Sequence, residues 1–139
     1  MDAFLKGRPY LKRTITMTIF GKPISFIATS NSSESRYFYE TLLGFNCLSD
    51  EQFALVFALE GATLRIQKIE SVQAVNYTVL GWEVGNIKKG VDELTRKGIR
   101  FEQYSQLAQD ESGIWSAQSG AQVAWFRDPD SNLLSLTET

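Results

Sequence analysis

The chain repeats one pattern of elements twice, and that duplication restricts its fold more than any other feature. Ile24–Thr29 reads as a strand. Asn31 follows, with Glu34 three residues on, the arrangement of a helix start. The helix is expected over Ser32–Leu43, with Tyr37, Phe38, Thr41 and Leu42 at helical spacing and Gly44 as its left-handed stop. Phe45–Leu48, Phe53–Leu59 and Thr63–Gln67 then read as strands, punctuated by Ser49-Asp50-Glu51 and Glu60-Gly61. The second copy opens with a strand over Thr78–Val84 and a helix capped by Asn86, carrying Ile87, Val91 and Leu94 and closed by Gly98. Ile99–Gln103 is its next strand, followed by a polar loop, Ser105–Gly113. Ile114–Ser116 and Gln122–Arg127 pair through Ser119-Gly120. Asp128-Pro129-Asp130-Ser131-Asn132 is a strong turn before a last strand, Leu133–Leu136.

The internal distances agree between copies: Ile24 to Asn31 and Val79 to Asn86 are each seven residues. The expected fold class is therefore α+β, two βαβββ modules over about 22–70 and 75–138 within one domain, 17–139. Each module has one thin sheet and one helix and needs the other to cover its inner face. The competing reading is a chance alternation of elements in an ordinary α+β sandwich. Residues 1–16, with Lys6, Arg8, Lys12 and Arg13, read as a surface extension or a start placed upstream of Met17, or else as a basic amphipathic arm against a partner subunit.

Composition removes several kinds of chemistry. The 139 residues include no histidine, so a Ser-His-Asp or Cys-His nucleophile and a His-ligated metal are out of reach. Cys47 is the single cysteine, which excludes an internal disulfide and a thiolate zinc site and makes the cytoplasm the simplest location. As a residue it reads as a buried, inert thiol. Fourteen basic against sixteen acidic residues offer no electrostatic footprint for nucleic acid. No apolar run is long enough for a membrane helix.

Phe38-Tyr39-x-x-x-Leu43-Gly44-Phe45 resembles the helix exit of the vicinal oxygen chelate superfamily, which includes glyoxalase I, extradiol dioxygenases and fosfomycin- and bleomycin-resistance proteins. The turn Asp128–Asn132 with Leu133-Leu134-Ser135-Leu136 resembles that superfamily's final turn and strand, and the likeness spans about residues 22–138. Tyr77–Trp82, Asp110–Trp115 and Val123–Phe126 resemble a branch of small, uncharacterised bacterial members. The resemblance implies two curled sheets around a cleft and a homodimer. It also implies four inward metal-ligand positions, which fall on Ile24, Arg65, Val79 and Ser135. Ile and Val offer no lone pair and Arg brings positive charge, so no metal and no other cofactor is expected.

Strand alternation then selects the lining of the cleft. If Ile24 and Val79 face inward, so do Phe26, Ala28, Gly81 and Glu83, together with Arg65, Gln67, Leu133, Ser135 and Thr137. Three environments suit a buried Arg65: an ion pair with Glu83 or another carboxylate, an anionic ligand, or a side chain reaching back to water. The resemblance places Trp125 where metal-dependent members hold an aromatic near the ligand, and Trp115 adjoins the polar loop Ser105–Gly113; with Phe26 these read either as an aromatic wall for a flat or cationic compound or as core and dimer contacts. Trp82 and Tyr39 read as packing residues, and Asp128 and Asp130 as turn formers. The expected function is metal-independent binding of a small aromatic, cationic or carboxylated compound. The alternative is a metal-free isomerase or lyase with Glu83 as base and Arg65 as anion stabiliser.

Overall fold

The computed structural model describes residues 19–139. The extension at 1–16 lies outside the described residues. The element order is β1 (Ile24–Thr29), α1 (Ser32–Arg36), a π-helical segment (Tyr37–Leu42), β2 (Asn46–Asp50), β3 (Ala54–Leu59) and β4 (Ala62–Lys68), then β5 (Leu80–Glu83), α2 (Ile87–Arg96), β6 (Trp115–Ser116), β7 (Gln122–Arg127) and β8 (Leu133–Glu138). Two four-stranded mixed sheets result, ordered β1-β4-β3-β2 and β5-β8-β7-β6. In each, the first strand runs parallel to the last and the remaining pairs are antiparallel. This is the doubled βαβββ arrangement expected from the sequence.

Local chemistry explains the element ends. The Asn31 and Asn86 side chains accept from the backbone N–H of Glu34 (3.2 Å) and Lys89 (3.0 Å), each satisfying a donor that the helix itself cannot. Gly44 and Gly98 have φ of +83° and +95°, so each helix exit uses a residue without a Cβ.

Two elements differ from expectation. The helix over Ser32–Leu43 is α-helical only to Arg36 and then widens: Leu43 N–H reaches back to the carbonyl of Phe38, five residues earlier. Ile99–Gln103 is not a continuous strand. Only Phe101 bridges β7, opposite Phe126, and Glu102 N–H bonds to the Trp125 carbonyl. The outer edge of β7 is divided between residues 101–102 at one end and β6 at the other, so no full-length edge strand forms.

One continuous core joins the modules. Ile27, Leu55, Phe57, Leu64 and Ile66 from the first sheet share it with Ala124, Phe126, Leu134 and Leu136 from the second, under Phe38, Tyr39, Ile87 and Val91 of the helices. Phe38 approaches Tyr39 edge-on at 5.0 Å and Phe126 at 6.3 Å. Trp82 belongs to the same packing, stacked on Phe45 at 5.3 Å. Cys47 is half-buried and unbridged.

A polar latch reinforces this contact. Asp128 is 5% exposed and accepts from the Tyr39 hydroxyl (2.7 Å), the Asn132 amide side chain (2.9 Å) and the backbone N–H of Asp130 and Asn132. Asp130 accepts from the Thr29 hydroxyl and from Ser30, and Asn132 donates to the Ala28 carbonyl (2.9 Å). The turn that the sequence marks as a reversal thus also ties the second module to β1 and the helix of the first. Burial lifts the Asp128 carboxyl above its ordinary range, outweighing the donors that oppose it. Burial foremost, and then the Asp128 charge, hold the Tyr39 phenol well above its usual range, so it remains a donor.

Candidate functional site

The main core occupies one face of each sheet; the other face is exposed at Ile24, Phe26 and Glu83 and buried at Ala54, Val56, Leu133 and Ser135. On the first sheet, register places Phe26 beside Arg65 and Arg65 beside Val56, with Ala28, Gln67 and Ala54 in the next row. Phe26 is 56% and Ile24 51% exposed, so this open face carries apolar surface to solvent. Arg65 Nη2 lies 2.9 Å from Glu51 Oε1, and the pair is half-exposed. Of the three environments open to Arg65 in the sequence, the structure shows an ion pair, and its partner is Glu51.

On the second sheet, Gly81, Ser135 and Trp125 lie in one row, and Glu83, Thr137, Val123 and Trp115 in the next. Gly81 permits a close approach: a Cβ at this position would stand 2.5 Å from Ser135 Oγ, which would have to move, and 3.3 Å from the Ser135 carbonyl oxygen. Leu133 and Ser135 are buried. Glu83 is exposed and accepts a 3.4 Å hydrogen bond from the Thr139 hydroxyl. Within this chain, Arg65 and Glu83 stand on separate sheets with separate partners.

Three aromatic residues and a linker shape a cleft on the second open face. Trp125 lies 5.7 Å from Tyr104, edge-on, and 6.1 Å from Trp115. A cavity of about 450 Å³ is bounded by Trp125, Leu133, Tyr104, Tyr77, Asn76 and Arg127, among others. That volume lies within the roughly 300–1,000 Å³ of small-molecule pockets. Tyr104 is placed by the loop that follows the interrupted strand, where its N–H bonds to Gln109 Oε1 and Gln109 braces Glu102 and Gly113. Burial, and after it the Glu102 charge, raise the Tyr104 phenol above its usual range, with Arg127 opposing.

Of the sequence-selected residues, this cleft gathers Trp125 and Leu133; Trp115 touches Trp125 but does not line the cleft, and Ser135 shares the Trp125 row of the sheet. Phe26, Arg65, Gln67 and Glu83 do not line it. Tyr104, Tyr77, Asn76 and Arg127 are the additions. A larger cleft, about 640 Å³, runs on the helix side between Phe38, Leu42, Pro129 and residues 98–103. Its lining mixes Phe38 and Phe101 with the charged residues Arg100, Glu102, Arg127 and Asp128. The aromatic cleft is the better candidate because its rings converge on one space.

The four positions where the resemblance places metal ligands do not form a donor set. Ile24 and Val79 are hydrocarbon, the Arg65 guanidinium is held by Glu51, and Ser135 adds one buried hydroxyl. Among the described residues, no three His, Cys, Asp or Glu side chains stand close enough to share an ion. These residues do not fit a divalent cation.

Solved structures share this architecture. A glyoxalase family protein from Bacillus anthracis superposes with a TM-score of 0.70 at 16% identity, over 90% of this chain and 99% of its own. A glyoxalase family protein from Enterococcus faecalis gives 0.65 at 24% identity, over 86% and 98%. TnmS3, an antibiotic binding protein from Streptomyces sp. CB03234, gives 0.64 at 16% identity, over 88% and 98%. No protein-family model and no curated protein matches the sequence.

Proposed function

We propose, from the premise that this chain has the two-module fold of the glyoxalase family proteins, that it binds a small, flat organic compound on the open face of its second sheet without a metal ion. The observation that carries this reading is the convergence of Tyr77, Tyr104 and Trp125 on one cleft of about 450 Å³. Aromatic faces bind flat or cationic molecules by contact area and ring electrostatics, which requires no reacting group. The antibiotic-binding neighbour of the same fold supports binding as a sufficient function.

We further propose that two chains pair, because the first open face presents Ile24 and Phe26 to solvent and an association would cover them. Sedimentation of the protein as a single chain at micromolar concentration would overturn that part.

Intrinsic tryptophan fluorescence tests the binding reading. Titration with three probes of similar shape, neutral 2-naphthol, cationic N-methylquinolinium and anionic 2-naphthoate, is expected to give saturable quenching with at least one. Trp125→Leu is expected to weaken that binding about tenfold, the worth of one lost aromatic contact plus its buried area. Failure of all three probes to saturate would overturn the reading.

A further inference from the structure

We infer that the linker between the modules is a strap over this cleft and that Arg127 is the positioning residue that holds it closed. The inference rests on the binding reading for its function but not for its geometry.

No helix or strand lies between Lys68 and Leu80. The backbone anchors at its two ends are Ile69 N–H to the Thr29 carbonyl and Val79 N–H to the Leu133 carbonyl, both 2.9 Å. Between these anchors, among the described residues, the hydrogen bonds to residues 70–78 all come from Arg127. Its Nη1 donates to the Val75 carbonyl (3.3 Å) and its Nη2 to Asn76 Oδ1 (3.3 Å). The same Nη1 donates to the Ser131 carbonyl at 2.7 Å, and Nε stands 3.6 Å from Glu102. Arg127 is thus fixed to the second module by Ser131 and Glu102 and grips the linker with its remaining donors.

That grip forms one wall of the cleft. Asn76, Tyr77 and Thr78 face Tyr104, Gln106, Leu107 and Trp125 across the cavity. The planar fork of a guanidinium reaches several carbonyl oxygens at once, which an ammonium cannot reproduce. Releasing it leaves residues 70–78, among the described residues, with no hydrogen bond between their two end anchors, and Tyr77 is free to move with them. A second consequence concerns ligand charge. The one cation lining the cleft is engaged by chain acceptors and a carboxylate, so it offers little to an anionic ligand.

Two variants and two readouts test this. Arg127→Met removes every grip. Asn76→Ala removes one acceptor from the strap side and leaves the sheet untouched. Chymotrypsin nicking after Tyr77, which is 66% exposed, reports opening of the strap without any ligand. Arg127→Met is expected to speed nicking about tenfold, and Asn76→Ala a few-fold, the scale of one or two hydrogen bonds to a charged donor. Arg127→Lys is expected to recover only part of the difference. In stopped-flow fluorescence, 2-naphthol is expected to leave Arg127→Met faster than the native protein, with entry also quickened. Nicking unchanged in both variants would overturn the strap, as would an acceleration that merely tracks a matching loss of global stability in urea. If 2-naphthol fails to bind while nicking accelerates as expected, the strap stands and the binding reading falls.

Discussion

Tyr39→Phe removes a single oxygen, and the structure says what that oxygen does. The hydroxyl is fully buried and donates at 2.7 Å to Asp128, itself buried, across the junction of the two modules. Phenylalanine keeps the ring and its packing on Phe38 and Phe57. What is lost is one hydrogen bond to a carboxylate, leaving Asp128 with donors only from its own turn. Such a bond is worth about 1.5–3 kcal/mol. With a urea slope of about 1–3 kcal/mol per molar, the unfolding midpoint is expected to fall by roughly 1 M near neutral pH. The loss depends on pH. Burial raises the Asp128 carboxyl in the folded state, and a carboxyl so raised contributes stability that is whole below its unfolded value and lost as pH rises through its folded value. The Tyr39 hydroxyl favours the ionised form, so its removal raises Asp128 further and takes most from the protein above that folded value. The gap between variant and native protein should therefore narrow as pH falls from about 7 toward about 4, the ordinary carboxylate range. Urea unfolding followed by tryptophan fluorescence at both pH values measures it. Tyr37→Phe, at an exposed neighbour, serves as control and should change nothing measurable. A loss for Tyr39→Phe below about 0.5 kcal/mol, or one equal at both pH values, would refute the latch as a buried carboxylate bond.

Gly81→Ala is expected to cost about 1–3 kcal/mol through collision with Ser135 Oγ, and Ser135→Ala in the same chain should return most of it; additive losses in urea would show that Gly81 answers to something else. Asn86→Ala is expected to destabilise the protein by about 1 kcal/mol by freeing Lys89 N–H, and amide exchange in the first turn of α2 would locate the effect. Adding zinc, nickel or manganese, or a chelator, is expected to leave the thermal midpoint unmoved, because the four candidate ligand positions are Ile24, Arg65, Val79 and Ser135; a rise with any one metal ion, abolished by chelation, would show a donor set that these positions do not supply.

The fold was legible where one residue type answers to one piece of geometry. Asn31 and Asn86 cap, Gly44 and Gly98 turn left-handed, and period-two alternation separated the core face from the open face correctly on both sheets. The π-helical segment was not legible, because no residue in Tyr37–Leu42 differs from those of an ordinary amphipathic helix. Ile99–Gln103 has strand composition, but whether it pairs depends on competition for the edge of β7, which lies far off in sequence. The same limit applies to the cleft. Leu133 follows from alternation along β8, and Trp125 from the resemblance, which implies an aromatic near the ligand at that position. Tyr104 and Tyr77 come from a loop and a linker, where no periodicity says which way a ring points. Arg127 was readable as a strand residue, but its partners lie in segments without regular structure.

The two halves are copies in outline but not in how they are fastened. Asp128, Asp130 and Asn132 reach from the β7–β8 turn into the first module, whereas the matching β3–β4 turn of the first module is the two-residue reversal Glu60-Gly61, both residues exposed. Here one end is locked into the other module, while its twin answers only to its own turn, where Gly61 holds a φ of +70°; the constraint at Glu60-Gly61 is local, and the one at Asp128–Asn132 reaches across the fold. The strand order repeats in the two sheets while the fastening does not, so the sheets are alike in outline and carry different residues on their open faces.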